Sequence, residues 1–186
     1  MSVSGLLLAA GAGRRLGGPK ALARDADGTS WLLRSLAVLR EGGCDGVTVV
    51  LGAGADGARA LLDGDPAEVV VAEDWDEGMG ASLRAGLAVT RPREVEALVV
   101  LLVDLPDVGA DVVRRVASVA TGPDSLVRAA YDGVPGHPVV LGRDHWPGVR
   151  QSAAGDRGAR DYLARHHALL VECGDLATGR DVDSPE

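Results

Sequence analysis

The sequence predicts an α/β fold, a parallel sheet covered by helices, and three observations carry that prediction. Short apolar runs, too brief for helices, alternate along the chain with segments of helical spacing, the pattern of right-handed strand, helix, strand crossovers. The run from Ala97 to Val103 holds seven apolar residues in succession, the profile of a central strand buried on both faces. The 46% hydrophobic content comes with only 3% aromatic residues and no Phe, so the core has to be built from Val, Leu and Ala. Such a composition suits parallel strands under helices.

Taken in order, Leu6 to Leu8 close a first apolar run that Gly11 and Gly13 cut short, so a buried strand opens into a loop. Asp25-Ala26-Asp27-Gly28 is turn chemistry. Thr29 or Ser30 then caps a helix whose Leu32, Leu36 and Leu39 repeat at i, i+4 and i+7, and Gly42-Gly43 ends it. Val47 to Leu51 is the second strand, followed by a small-residue helix near Ala58 to Leu62 and a third strand over Val69 to Val71. A helix covers Ala81 to Val89 and leads to the Ala97 to Val103 strand, which stops at Asp104. Val112, Val113, Val116 and Val119 mark a further helix; valine is a weak helix former, so packing must carry it. Ser125 to Ala130 and Val139 to Leu141 read as strands flanking a loop over Asp132 to Pro138, Gly158 to His167 as a helix, and Ala168 to Val171 as the last strand. No internal repeat or linker divides the 186 residues, so one domain over residues 1–186 is expected, of a size that buries roughly 70% of its extended surface.

The formal net charge of −8 argues against nonspecific binding to nucleic acid or to anionic membranes. Cys44 and Cys173 lie in no CxxC or Cys/His ligand spacing and read as free thiols of a reducing cytoplasm. No charged leader precedes the first apolar run, and no apolar stretch approaches the ~20 residues that span a bilayer, so a soluble cytoplasmic protein is expected.

The basic loop is the local exception to the acidic balance. It carries Arg14, Arg15 and Lys20 behind glycines that let backbone N–H groups approach an anion closely. Glycines alone serve equally as a tight surface turn; Arg15 and Lys20 tip the reading to phosphate binding. Asp104 ends the most apolar strand, in L-L-V-D-L-P, and carboxylates at such strand ends face the ligand crevice of open α/β sheets. One or two carboxylates, waters and phosphate oxygens suit Mg²⁺. The alternative is an Asp that only caps the next turn beside Pro106 and Gly109.

Leu8-Ala9-Ala10-Gly11, Arg15, Gly17 and Pro19-Lys20 resemble the L-A-A-G-x-S-x-R-M-G-x-P-K signature of nucleotidyltransferases of the molybdenum cofactor type, with Gly13 for the Ser and Leu16 for the Met. Within that group the cytidylyltransferases that join CMP to molybdopterin are the most similar. The resemblance implies a three-layer Rossmann-like nucleotide-diphospho-sugar transferase fold with a mostly parallel mixed sheet. It also implies nucleotide contacts from Ala9, Ala10, Gly11, Ala12, Gly13 and Lys20, with Arg15 and Lys20 as catalytic residues. Gly78-Met79-Gly80-Ala81-Ser82-Leu83 resembles the family segment G-M-G-x-S-L, so Gly78, Gly80 and Ser82 are expected at the nucleotide, Ser82 also beginning a helix. Gly136-His137-Pro138 matches a family G-H-P element facing the acceptor, which places His137 in a turn as a substrate-side residue and a hypothetical general base. Gly155-Asp156-Arg157-Gly158-Ala159-Arg160 resembles G-D-x-G-A-R, with Asp156 capping the next helix and Arg157 or Arg160 meeting an acidic acceptor. Asp181-Val182-Asp183-Ser184-Pro185 resembles D-I-D-T-P, which makes Asp183 a candidate second metal ligand beside Asp104. Val103 and Ala72 stand where the family usually has Gly or Ala and Asn. His145, His166 and His167 show no ligand spacing and are expected at the surface.

The implied reaction is in-line attack of an acceptor phosphate oxygen on the α-phosphorus of CTP, with Mg²⁺ as cofactor and pyrophosphate as leaving group. Molybdopterin is the implied acceptor and a molybdoenzyme a transient partner. GTP is the alternative nucleotide. An NAD(P) oxidoreductase is the rival of another class, because Gly11, Gly13 and Gly17 approach the dinucleotide fingerprint. That fingerprint needs an acidic residue at the end of the second strand ~20 residues on, an interval that falls here in the Trp31 to Leu39 helix. A nucleotide-binding regulator without turnover is the remaining possibility.

Overall fold

The computed structural model describes residues 1–90 and 95–183. Its strands are β1 (Val3–Ala9), β2 (Val47–Leu51), β3 (Glu68–Val71), β4 (Ala97–Leu102), β5 (Leu126–Tyr131), β6 (Val134–Gly142) and β7 (Leu169–Glu172). Its helices are α1 (Trp31–Glu41), α2 (Ala55–Leu61), α3 (Met79–Val89), α4 (Ala110–Val119), α5 (Trp146–Ser152) and α6 (Arg160–Arg165). The strands form one sheet in the order β3-β2-β1-β4-β6-β5-β7. β1 to β4 run parallel, β7 runs parallel to β5, and β6 runs antiparallel to both its neighbours, so the α/β sheet is mixed and mostly parallel, as the family resemblance implies.

The period of two along the central strands sends successive residues into two separate cores. Leu7, Val49, Val99 and Leu101 meet Leu32, Leu36 and Leu39 of α1 and Val112, Val113 and Val116 of α4. Leu6, Val50, Leu98 and Val100 meet Leu83 and Leu87 of α3, Trp146 of α5 and Leu163 of α6. Helices on both faces make three layers, and each fully buried leucine or valine contributes about 1.5–3 kcal/mol relative to exposure. Ser30, not Thr29, caps α1: its hydroxyl accepts the Leu33 N–H at 3.4 Å.

The structure differs from expectation in four places. The Asp132 to Pro138 loop is a tight turn at Asp132 and Gly133, both at positive φ (51° and 78°), after which β6 begins at Val134. An Asp-Gly pair fits a two-residue hairpin, and the Pro and Gly that follow it disguise the strand. His137 therefore sits in a strand. α5 falls in a stretch for which the sequence predicts no element; Pro is tolerated in a first turn, and Trp146 is anchored by donating its Nε1–H to the Leu141 carbonyl at 2.9 Å. The helix expected over Gly158 to His167 is the shorter α6, preceded by a single tight turn over Gly155–Arg157, and Asp156 does not cap it. Ser82 is the fourth residue of α3 rather than its start, which is Met79 with Gly78 at the N-cap. Ser184 and Pro185 of the D-V-D-S-P motif lie outside the described residues. Among the described residues no helix is long and apolar enough to cross a membrane, and Cys44 and Cys173 are both buried and unpaired.

Candidate active site

β1 delivers the chain into the basic loop at the carboxyl edge of the sheet. The loop folds on itself: Gly17 and Gly18 donate N–H to the Gly13 carbonyl at 2.9 and 3.2 Å, and Lys20 donates its own to Gly11 at 3.0 Å. The N–H groups of Gly11, Ala12 and Gly13 donate to no protein acceptor among the described residues, which leaves a row of donors open to an anion. Gly13 is held at φ +55°, and a Cβ there would lie 2.1 Å from the Gly18 carbonyl oxygen. Gly13→Ala is therefore expected to unmake this loop and weaken nucleotide affinity by roughly tenfold or more, read by calorimetry against an unchanged far-ultraviolet dichroism spectrum.

Lys20 reaches from the loop to the end of β4, where its Nζ donates to Asp104 Oδ2 at 2.5 Å and to Asp183 Oδ1 at 2.7 Å. Asp183 arrives from the C-terminal segment, which docks by the Val182 N–H on the Asp104 carbonyl at 3.0 Å. Burial draws the Lys20 ammonium down, but the hydrogen bonds and charges of Asp104 and Asp183 outweigh it and hold it above its ordinary value. Burial pushes the Asp104 carboxyl up, against the opposing hydrogen bond and charge of Lys20. Asp183, hydrogen-bonded by Lys20 and near its charge, is held below the usual carboxylate range. Arg15 is 81% exposed and touches Asp183 only at 3.6 Å, so it is free to move.

Asp181 joins the group: ligand atoms of Asp104, Asp181 and Asp183 all lie within 4.8 Å of one another. Three carboxylates form a hard-oxygen donor set that fits a divalent cation of the Mg²⁺ or Mn²⁺ kind, once Lys20 turns from them to a phosphate. Asp181 was missed in the sequence, although the D-V-D spacing places it two residues from Asp183.

One cavity of about 440 Å³ gathers most of the expected site: Ala10 to Gly13, Arg15, Lys20, Gly78, Ser82, Asp104 and Asp183, together with Met79, Asp156 and Val103. Ala9 is buried in β1 beneath it, and Gly80 faces the Ala154 backbone, where a Cβ would come within 2.6 Å. His137 and Arg157 line a smaller adjoining cavity, which shares Leu8, Met79 and Asp156 with the first. Arg157 is exposed and pairs with Asp161 at 3.3 Å. His145 is half-buried rather than superficial, its ring nitrogens meeting the Tyr162 hydroxyl at 3.0 Å and the Asp124 carbonyl at 2.9 Å; His166 and His167 are exposed.

Burial, then the charges of Arg128 and Arg160, push the His137 imidazole down to about 3. It is neutral at physiological pH and too weak a base for the role expected of it. Between pH 6.5 and 3 the unfolded chain binds a proton at His137 that the folded chain refuses, so stability falls as pH drops through that window and is flat above it. At pH 5 the expected loss is on the order of 2 kcal/mol. His137→Asn removes it, which urea unfolding of both proteins at pH 5 and pH 7.5 measures.

The sheet and the loop, seen together, have the architecture of nucleotidyltransferase structures. A nucleotidyl transferase from Methanothermobacter thermautotroptrophicus (Mth528) superposes with a TM-score of 0.82 at 21% identity, over 98% of this chain and 92% of that one, a likeness of fold. The chain belongs to the MobA-like NTP transferase domain family, whose model matches residues 5–169. It is 38% identical over 194 residues to nicotine blue oxidoreductase of Paenarthrobacter nicotinovorans, covering 99% of this chain and 93% of that one. Rv0371c of Mycobacterium tuberculosis superposes with a TM-score of 0.81 at 31% identity, over 99% and 94% of the two chains. A manganese complex of Rv0371c gives a TM-score of 0.74 at 31% identity, over 93% and 88%.

Proposed function

We propose that this chain is a Mg²⁺-dependent nucleotidyltransferase that moves CMP from CTP to a phosphorylated acceptor such as molybdopterin, releasing pyrophosphate. One observation carries the proposal: Lys20, between Asp104 and Asp183, stands over a loop of open backbone N–H groups in a single cavity. Fixed donors and a charged amine match the polyphosphate of a nucleotide, and the three acids match its cation.

In the reaction, Gly11, Ala12 and Gly13 donate N–H bonds to phosphate oxygens. Lys20, charged at neutral pH, exchanges its carboxylate partners for the α-phosphate and stabilises the charge that grows there as the acceptor oxygen attacks in line. Arg15 swings from Asp183 to the departing pyrophosphate. Asp104 and Asp183, with Asp181, would hold the divalent cation, which would supply charge neutralisation to the phosphates. No covalent enzyme intermediate is required. The manganese complex of Rv0371c supports divalent-metal use in this family.

A second reading, an NAD(P)-dependent oxidoreductase, is favoured by the 38% identity with nicotine blue oxidoreductase. Against it, β2 ends at Leu51 and runs into Gly52-Ala53-Gly54, where a dinucleotide fold needs an acid for the ribose. Calorimetric titration of CTP, GTP, ATP and NADPH, each with and without Mg²⁺, separates the readings. Metal-dependent binding of CTP supports cytidylyl transfer, preference for GTP moves the proposal to the guanylyl branch, and binding of NADPH alone overturns it.

A further inference from the structure

Arg128 lies on β5, where the pairing with β6 changes register between Arg128 and Ala130. Irregularities of this kind re-aim a side chain. Arg128 is half-buried on the α6 side of the sheet, and β6 fixes it: Nε donates to the Gly136 carbonyl at 2.9 Å and Nη2 to Pro135 at 3.4 Å. Arg160 opens α6 and points its charge at the same place. Both residues line the small cavity under His137 and also an open groove of about 500 Å³ between α6 and β7.

Neither guanidinium makes an ion pair with a carboxylate among the described residues, whereas the neighbouring Arg157 has Asp161. Among the described residues, the one carboxylate lining either space is Asp156, on the side towards the active site. Two like charges brought together without a counterion, in a chain of net charge −8, cost free energy until an anion sits between them. Burial, and then the Arg160 charge, already pull the Arg128 guanidinium down. Apart from the exposed His167, the rest of the groove wall is apolar: Val134, Pro135, Leu163, Ala164, Ala168 and Leu170.

We propose that Arg128 and Arg160 form an anion site for the second substrate, which carries a phosphate or carboxylate on an apolar body, distal to the oxygen that attacks the nucleotide. The small cavity shares Leu8, Met79 and Asp156 with the nucleotide cavity, and Arg128, Arg160 and Leu163 with the groove, so such a molecule would run from the groove through the small cavity to the nucleotide. Neutral His137, on β6 and lining the small cavity with both arginines, offers a ring N–H without adding a charge there. The anion site rests on the geometry alone; calling its ligand the acceptor rests on the transferase reading.

Phenyl phosphate tests this, with inorganic phosphate as the comparison. Titrated into isotope-labelled protein, phenyl phosphate is expected to shift the Arg128 Nε–H and His137 ring resonances saturably, at lower concentration than inorganic phosphate. Arg160→Gln, at an exposed position, is expected to weaken that binding at least ~10-fold while CTP binds the variant as it binds the parent. Absent shifts, or equal affinity in Arg160→Gln, would overturn the site. If phenyl phosphate binds as described but CTP binds neither protein, the transferase reading falls and the anion site stands. If CTP binds and the shifts are absent, only the anion site falls.

Discussion

Lys20→Ala is expected to lower kcat by on the order of 10²-fold or more, the loss seen when one preorganised donor to a developing oxyanion is removed. The geometry explains why this amine has no understudy. Arg14 and Arg15 share the loop, but Lys20 alone among these three spans from it to the end of β4, with both Asp104 and Asp183 within 2.7 Å. An arginine at the rim does not replace a compact ammonium at the α-phosphate. Lys20→Ala also strips Asp104 of its counter-charge, and a buried carboxylate left alone costs several kcal/mol or takes up a proton. Turnover is therefore compared with the melting temperature of the same sample. Turnover within twofold of the parent in a folded variant would refute the assigned role.

Asp104→Asn carries the second large effect. The substitution keeps the volume of a buried side chain and removes its charge, so it addresses the cation directly. Loss of groups that merely orient metal ligands costs 10–100-fold in affinity, and loss of a ligand should cost no less. Mn²⁺ affinity, followed by electron paramagnetic resonance, is expected to fall at least ~10-fold, with Asp181 and Asp183 retaining the weak remainder. Lys20 keeps Asp183 as a partner, so the loop stays in place. Unchanged Mn²⁺ affinity would place the metal elsewhere or remove it from the reaction.

Much of this was legible in the chain because local signals and global fold agree. β1, β2 and β4 announce themselves as apolar runs because both of their faces are covered, and Leu32, Leu36 and Leu39 mark α1 because one helix face meets one core. The loop was legible from its glycines and bases. What stayed hidden depends on contacts distant in sequence. Nothing in D-V-D-S-P says that the segment returns 163 residues to pair Asp183 with Lys20; the Val182 N–H on the Asp104 carbonyl does that. His137 read as a turn residue because Gly and Pro flank it, whereas the Asp132-Gly133 hairpin had already spent the turn. Arg128 is a single base in an apolar strand, and its meaning emerges only where β5 and α6 bring it to Arg160.

Mass spectrometry of a reaction containing the protein, CTP, Mg²⁺ and molybdopterin, with pyrophosphate quantified in parallel, meets the central claim most directly. The transferase account expects a product heavier than molybdopterin by one cytidylyl group, with one pyrophosphate released per product and none without metal. Unmodified molybdopterin and no pyrophosphate from CTP or GTP, in a sample that consumes NADPH, would contradict it.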